Sequence, residues 1–591
     1  MHHGPPRKNL QLHSDYVIAG FIFVITFVVF WISPIHQMTD STYSMLLSQN
    51  VLKFHSFALD HYAISTTEVS EHTQLETVDN HVYYYPPAGG PVLSIPIVAI
   101  MNAFNLSAAN ADGSPNHRGE AKMQAIVAPL LMAALAVVFF LTARLLLTSA
   151  WSTLIALGAA FGSQVWSTAS RVLWSHTWEI ALLGVAIWML LAAETGKRKL
   201  RPMALATVLA WAYFCRPTAF IPILAITLYM LLAQRRLFVW YALAGSFWAL
   251  LFAIYSWIHF RHFVPRYYRE QVSVWHPLLS LSGSLFSPSR GLLVYLPVLF
   301  FVVYLLGRYW QDMPHRRLAW LALLVVLGHL ITLSSLRTWW GGGCYGARLT
   351  TDLVPWFVLL TILGTSAMLR WKTRPEAHAS MLNWRVPLVA GLVLLAFSIF
   401  INARGAISQE TVNWENWRWQ RPIGERDTAS FWEWRYPQFL AGLLHPPLPD
   451  SFPVAEGQID LGSDQSTRFL WYGWSGSERP TRWTDGHQAA IIFARPGSTD
   501  VLLEMQLAPF VGGNVQEQNV HVYLNEKSLV WLNLTGAWTR NVSLTLPANL
   551  LREKNVLRFS LPNASSPYAA GIGEDERLLG IKVEWVRFRI G

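Results

Sequence analysis

The sequence predicts a mainly α-helical membrane protein, a bundle of about eleven spanning helices, followed by a C-terminal all-β sandwich or jelly roll. Three observations predict it. Charged residues make up 14% of the 591 positions and hydrophobic ones 53%, where soluble domains carry about 25% charged residues. About eleven apolar runs approach the ~20 residues that a spanning helix needs. From about residue 456 the apolar periodicity changes to two, the period of a half-buried strand.

In chain order, Arg7 and Lys8 precede the first apolar run, Val17 to Ile35. It has no small-residue cleavage site, so it reads as a retained span rather than a signal peptide. The candidate spans are 16–35, 122–143, 150–168, 175–194, 202–216, 217–233, 237–259, 291–309, 317–335, 351–369 and 386–402. The stretch 202–233 reads as two spans or as one hairpin broken at Arg216-Pro217. With the N-terminus inside, the short inner segments hold Arg7 and Lys8; Arg144; Lys197, Arg198, Lys199 and Arg201; Arg235 and Arg236; Arg308, Arg316 and Arg317; and Arg370, Lys372 and Arg374. Every one is basic, as the positive-inside rule requires. An odd number of spans then puts the C-terminal part outside. The 29 Trp and 20 Tyr suit the two membrane interfaces. Although the net charge is +10, the basic residues sit in these loops and form no nucleic-acid patch. Cys215 lies in an apolar run and Cys344 in a loop, which excludes a disulfide framework and a CxxC metal site.

The first outer segment, about 36–120, is long and carries Asp40, Asp60, Glu68, Glu71, Glu76 and Asp79. Within it, Tyr83-Tyr84-Tyr85-Pro86-Pro87-Ala88-Gly89-Gly90-Pro91 reads as a rigid turn. The apolar segment 92–103 that follows is too short to span and reads as an interfacial or re-entrant helix, or as a plain loop. After the last span, Trp414, Trp417, Trp419, Trp432 and Trp434 mark a juxtamembrane segment, 403–455, lying on the membrane surface. In the β domain, 456–591, Val501, Leu503, Met505 and Leu507 alternate with Leu502, Glu504 and Gln506. The pattern repeats at Val520, Val522 and Leu524, at Val542, Leu544 and Leu546, and at Leu557, Phe559 and Leu561, with a turn at Asn525-Glu526-Lys527-Ser528. The last run, Ile581, Val583 and Trp585, changes phase to Val586, Phe588 and Ile590, which predicts a bulge. Trp471, Tyr472, Trp474 and Trp483 are either core residues or a glycan-binding surface.

Asp40, in His36-Gln37-Met38-Thr39-Asp40-Ser41-Thr42-Tyr43, is the first acid beyond the first span. It is placed either as a base facing a lipid-embedded site or as an ordinary loop residue. Single arginines at outer helix ends oppose the orienting rule: Arg171, Arg216, Arg261, Arg266, Arg269, Arg290, Arg337 and Arg348. An anionic ligand at that level would explain them; pairing with loop carboxylates or lipid phosphates would too. The run Trp339-Trp340-Gly341-Gly342-Gly343-Cys344-Tyr345-Gly346-Ala347-Arg348 allows close backbone approach, and its arginine could pair bidentately with a phosphate. It lacks the Gly-Lys-Ser/Thr ending of a P-loop.

In their order and common outer side, several motifs resemble those of the polytopic GT-C glycosyltransferases, which use polyprenyl-phosphate sugars and include protein O-mannosyltransferases and the aminoarabinose transferase of lipid A. They are Asp40 after the first helix, Tyr85-Pro86-Pro87, Ser175-His176-Thr177-Trp178-Glu179 with Arg216-Pro217-Thr218, Ser287-Pro288-Ser289-Arg290-Gly291-Leu292, and Trp339-Trp340-Gly341-Gly342. The resemblance covers about 15–370. It implies a GT-C-like catalytic domain, 1–402, transferring a sugar to a glycan, lipid or protein at the outer face of a bacterial cytoplasmic membrane. Where the family often pairs two acids, Ser41 follows Asp40, so a metal site of adjacent acids is not supported. The C-terminal β domain matches no motif of the family.

On that reading Asp40 is the general base, and direct attack inverts the anomeric centre. Arg348, Arg290 and Arg216, with Arg337 and Arg269 behind them, hold the donor phosphate, whose charge grows as the sugar–phosphate bond breaks. His176 and Glu179 share a helix face and, with Tyr85, Trp339, Trp340 and Asp352, are candidates for the donor or acceptor pocket. His176 and Glu179 read equally as a structural ion pair, and Asp352 orients Arg348 or caps a helix. No cofactor and no nucleic-acid partner are expected, and a divalent metal stays open without support; no structural zinc is expected, because the sequence shows no compact set of carboxylate and histidine ligands. Three alternatives stay open: an oligosaccharide ligase or polymerase with a lipid diphosphate-linked donor, a lipid-linked sugar transporter or flippase, and a non-catalytic anchor for the β domain.

Overall fold

The computed structural model describes residues 7–36, 38–65, 69, 74–269, 277–336, 338–373, 382–419, 429–444, 446, 457–573, 575 and 577–590. The chain divides into two compact units, Met1–Ser408 and Gln409–Gly591.

The first unit is helical. Among the described residues, seven helices are long and apolar enough to cross a membrane: Ser14–Ile32, His117–Ala143, Ser175–Glu194, Arg235–Phe260, Arg316–Ser334, Arg348–Lys372 and Arg385–Ile407. Multiple apolar spans make this a multi-pass membrane protein. Their burial orders the bundle. Arg348–Lys372 is 83% buried and runs through its centre, whereas Arg235–Phe260 is 11% buried and turns its leucines and aromatics outward.

The four other expected spans form shorter pieces, for reasons local to each. The run 150–168 is a helix over Ser149–Phe161 that gives way to a wider π-type turn, Val165–Ala169. The run 202–233 splits at Arg216, which is extended (φ −157°, ψ 129°) because the following Pro217 disfavours the helical region for it. The run 291–309 breaks before Pro297, leaving the turn Leu292–Tyr295 and the helix Val298–Tyr309. Proline donates no backbone hydrogen bond, so the helix restarts beyond it.

The segment between the first two long spans is folded. It holds the helix Ser44–Phe54, a hairpin of β1 (Leu75–Val78) and β2 (His81–Tyr84), and the helix Gly89–Ala103. At 15 residues the last reaches roughly 22 Å, short of the ~30 Å hydrocarbon core. Its first glycine packs directly on the helix Pro202–Cys215: a Cβ on Gly89 would lie 2.4 Å from the Phe214 carbonyl carbon.

The second unit opens with the helix Glu410–Trp419. Trp414 and Trp417 are buried, packed against Phe431 and Tyr436 with ring centroids 6.1 and 5.0 Å apart. Trp434 is exposed. The remainder is a sandwich of two antiparallel sheets. One runs β10 (Lys527–Thr535), β9 (Glu517–Leu524), β12 (Lys554–Ser560), β7 (Gln488–Ala494), β4 (Leu470–Tyr472). The other runs β11 (Arg540–Leu546), β8 (Val501–Pro509), β13 (Leu579–Ile590), β6 (Thr481–Asp485), β5 (Trp474–Glu478), with β3 (Gly457–Asp460) also paired to β13. The alternating residues read from the sequence fill the space between them: Val520, Val522, Leu557 and Phe559 face Leu503, Met505, Ile581, Val586 and Phe588. The phase change in the last strand is a bulge, with the β8 register shifting between Val583 and Trp585. Trp474 is core, 1% exposed, its indole N–H donated to the Ala490 carbonyl at 2.9 Å.

Candidate functional site

Asp40 lies in the turn that joins the first span to the helix Ser44–Phe54. Thr42 N–H to the Thr39 carbonyl (3.1 Å) and Ser44 N–H to the Ser41 carbonyl (3.0 Å) close that turn. Tyr43 takes a left-handed conformation (φ 71°) within it, its ring edge-on to His117 at 5.5 Å. The Tyr84 hydroxyl, at the end of the hairpin, donates to the Asp40 carbonyl at 2.9 Å. Burial, reinforced by the charges of Glu120 and Asp40, holds that phenol well above its usual range, so it stays protonated and donating.

Arg348 reaches the same turn from 308 positions further along the chain. Its Nη2 donates to Asp40 Oδ2 at 2.7 Å, and its guanidinium lies 4.1 Å from the centre of the Trp174 ring. The Asp40 side chain is 46% exposed and that of Arg348 12%, so a ligand can reach the carboxylate while the cation lies half sunk behind it. Arg348 Nε is buried with no hydrogen-bond partner among the described residues. The loop before it is built for close approach. Gly346 has φ +60°, and a Cβ there would come 2.5 Å from the Tyr295 ring. Asp352 does not orient Arg348 directly, since its oxygens are taken elsewhere.

Those oxygens sit at the centre of a buried charge cluster. Asp352 Oδ2 accepts from Arg216 Nε at 2.9 Å and from the Thr218 hydroxyl at 2.7 Å, and Oδ1 pairs with His176 Nδ1. Glu179 is 3.6 Å from Arg216, and His329 Nε2, 2.9 Å from the Leu349 carbonyl, is 4.0 Å from Asp352. Neither His176 Nε2 nor either Glu179 oxygen has a hydrogen-bond partner among the described residues. The sequence shows no compact histidine–carboxylate set; the fold makes one, with ligand atoms of His176, Glu179 and Asp352 within 4.8 Å of one another. Arg216 already supplies a positive charge there. A divalent ion would sit beside it, which makes the cluster a poor fit for a metal.

Other candidates are placed as follows. Arg290 is 2% exposed and donates to the Trp340 and Ser289 carbonyls at 3.0 and 2.7 Å, bracing the glycine-rich loop. Trp339 is buried over Gly283, where a Cβ would lie 2.5 Å from its ring. Tyr85 packs edge-on against Tyr267 at 5.3 Å. Arg269 is exposed, and Arg337 lies outside the described residues. Tyr84 and Thr218, quoted from the sequence only within motifs, join the site, as do residues the sequence did not single out: Trp174, His329, and Glu120 with Gln124. The last two carried a legible signal, polar residues four apart at the start of an apolar helix.

Beside Tyr84 opens an apolar groove, with Pro86, Pro87, Trp211, Phe252 and Tyr255 among its walls.

No family model matches the chain, and no curated protein does. Solved structures similar to parts or all of it include a family 35 carbohydrate-binding module from an environmental isolate (12% identity, 20% of this chain and 77% of that one, TM-score 0.14). A family GH115 4-O-methyl-α-glucuronidase, BtGH115A, matches 34% of this chain and 29% of its own (11% identity, TM-score 0.17). The arabinosyltransferase EmbB from Mycobacterium smegmatis covers 100% of this chain at 10% identity and TM-score 0.34; the chain spans 65% of its length. With every TM-score below 0.5, the reading of the site rests on its geometry.

Proposed function

We propose that the protein is a membrane glycosyltransferase that moves a sugar from a polyprenyl-phosphate donor to an acceptor hydroxyl at the outer face of the bacterial cytoplasmic membrane. One observation carries this reading. A half-exposed carboxylate and a shielded guanidinium meet at 2.7 Å, and the tyrosine that holds the carboxylate's turn also lines an apolar groove. Carboxylate, cation and groove are the three parts such a transfer needs.

The groove takes the isoprenoid chain, which places the donor phosphate at Arg348. The phosphate competes with Asp40 for that guanidinium and so releases the carboxylate. The acceptor oxygen attacks the anomeric carbon as the carbon–oxygen bond to phosphate breaks. The electron pair leaves with the phosphate, Arg348 meets the growing charge, and the acceptor proton passes to Asp40. A single displacement inverts the anomeric centre. Among the described candidates, Arg216 is offset by Asp352 and Glu179, and Arg290 is spent on carbonyls.

The test is transfer from labelled polyprenyl-phosphate sugars to acceptors in a membrane extract. Asp40→Asn is expected to lower the rate by about 10²–10⁴-fold in a folded protein. Equal rates would remove Asp40 from the chemistry. Transfer only from diphosphate-linked glycans would favour the ligase.

A further inference from the structure

Asp40 and Arg348 are 308 positions apart, yet their transfer roles need a fixed separation. Two buried polar side chains, one turn apart on the helix His117–Ala143, face the Asp40 turn. Glu120 accepts the Met45 amide at 2.9 Å. Gln124 uses both ends of its amide. Nε2 donates to the Ser41 carbonyl at 2.9 Å and lies 3.3 Å from both Ser44 Oγ and Glu120 Oε1; Oε1 accepts the Leu173 amide at 3.1 Å. Leu173 is followed by Trp174, the ring under Arg348, and Arg348 returns to Asp40. The contacts close a circuit: Asp40, Ser41, Gln124, Leu173, Trp174, Arg348 and back.

A primary amide is the group this junction needs. It donates to the carbonyl of one turn and accepts the N–H of another, and a buried amide lacking either partner is costly. An ionised carboxylate has no donor, and a thioether offers no donor and only a weak acceptor.

Resting on the transfer reading above, we propose that Gln124 is a positioning residue: it locks the Asp40 turn to the Trp174 shelf that carries Arg348, and so sets the spacing of base and phosphate cation. Loss of the amide lets the two turns move independently, and an error of about 1 Å in such a pair costs on the order of 10²-fold in rate.

The full-length protein in lipid nanodiscs tests this, first without substrate. In Gln124→Met, amide exchange is expected to accelerate at both 41–45 and 173–174. Carbodiimide labelling of Asp40 should rise several-fold, while that of the exposed Asp112 stays level. Trp174→Leu should raise Asp40 labelling and leave exchange at 41–45 as in wild type. Exchange confined to one segment in Gln124→Met, or Asp40 labelling unchanged in either folded variant, would overturn the coupling. With donor added, kcat of Gln124→Met is expected to fall at least tenfold with donor KM within about threefold. A wild-type rate despite raised Asp40 labelling would overturn the positioning role. No transfer by wild type itself would sink the function and leave the exchange and labelling results to decide the coupling.

Discussion

At the scale of single residues, the costliest arrangement in the membrane unit surrounds Asp352. Asp352 is 3% exposed, and its carboxylate is offset by a buried guanidinium, a hydroxyl and an imidazole. Breaking such a pair strands a charge away from water, at about 3–5 kcal/mol. Asp352→Asn is therefore expected to destabilise the protein by that amount, read as a lowered midpoint of thermal unfolding in detergent. An unchanged midpoint would show that the cluster is not the stabilising group its burial implies. Arg348 makes a different demand. Its planar fork lies on Trp174 and reaches Asp40 together, which an ammonium on a flexible stem does not reproduce. Arg348→Lys is expected to raise the donor KM about tenfold while the protein stays folded; a wild-type KM would place the phosphate elsewhere.

At the scale of elements, the β sandwich stands on alternation and the membrane helices on continuous apolarity. Asp485, at the end of β6, is a buried acid among the polar residues of the sandwich, 8% exposed. It accepts the Leu578 amide at 3.1 Å, and burial raises its carboxyl above the usual carboxylate range. A carboxyl whose folded value lies above its unfolded one stabilises the fold most below the unfolded value, and that contribution is lost as pH rises through the folded value. Asp485→Asn keeps an oxygen for Leu578 and removes the titration. It is expected to abolish this part of the pH slope of stability and to raise stability at neutral pH, measured by unfolding between pH 4 and 8. A slope identical to wild type would assign the titration to another group.

At the scale of the molecule, the expected orientation follows from basic inner loops, and the protein offers a clean test. Both native cysteines, Cys215 and Cys344, are buried at 1% exposure, so single introduced cysteines report alone. Asp112→Cys, in the first outer segment, should react with an impermeant maleimide added to intact cells. Arg198→Cys, in an inner loop, should react only after permeabilisation. The reverse pattern would put Asp40 and Arg348 on the cytoplasmic side and remove the outer-face donor from the proposal.

Sequence alone determined most of what depends on period and length. The spans at 175–194, 317–335 and 386–402 correspond to helices at Ser175–Glu194, Arg316–Ser334 and Arg385–Ile407, because an apolar run of that length has one stable form in a bilayer. The alternating strands and the bulge near Val583 were legible for the same local reason. The breaks at Arg216-Pro217 and Pro297 show where local signals outweigh an apolar run. What only the tertiary structure decided is pairing between distant positions. Nothing near Asp40 announces that Arg348 lies 2.7 Å away, nor anything near Arg216 that Asp352 and Glu179 offset its charge. Those contacts are set by which helices pack together, and a polar side chain inside a packed bundle takes its role from the partner that packing supplies.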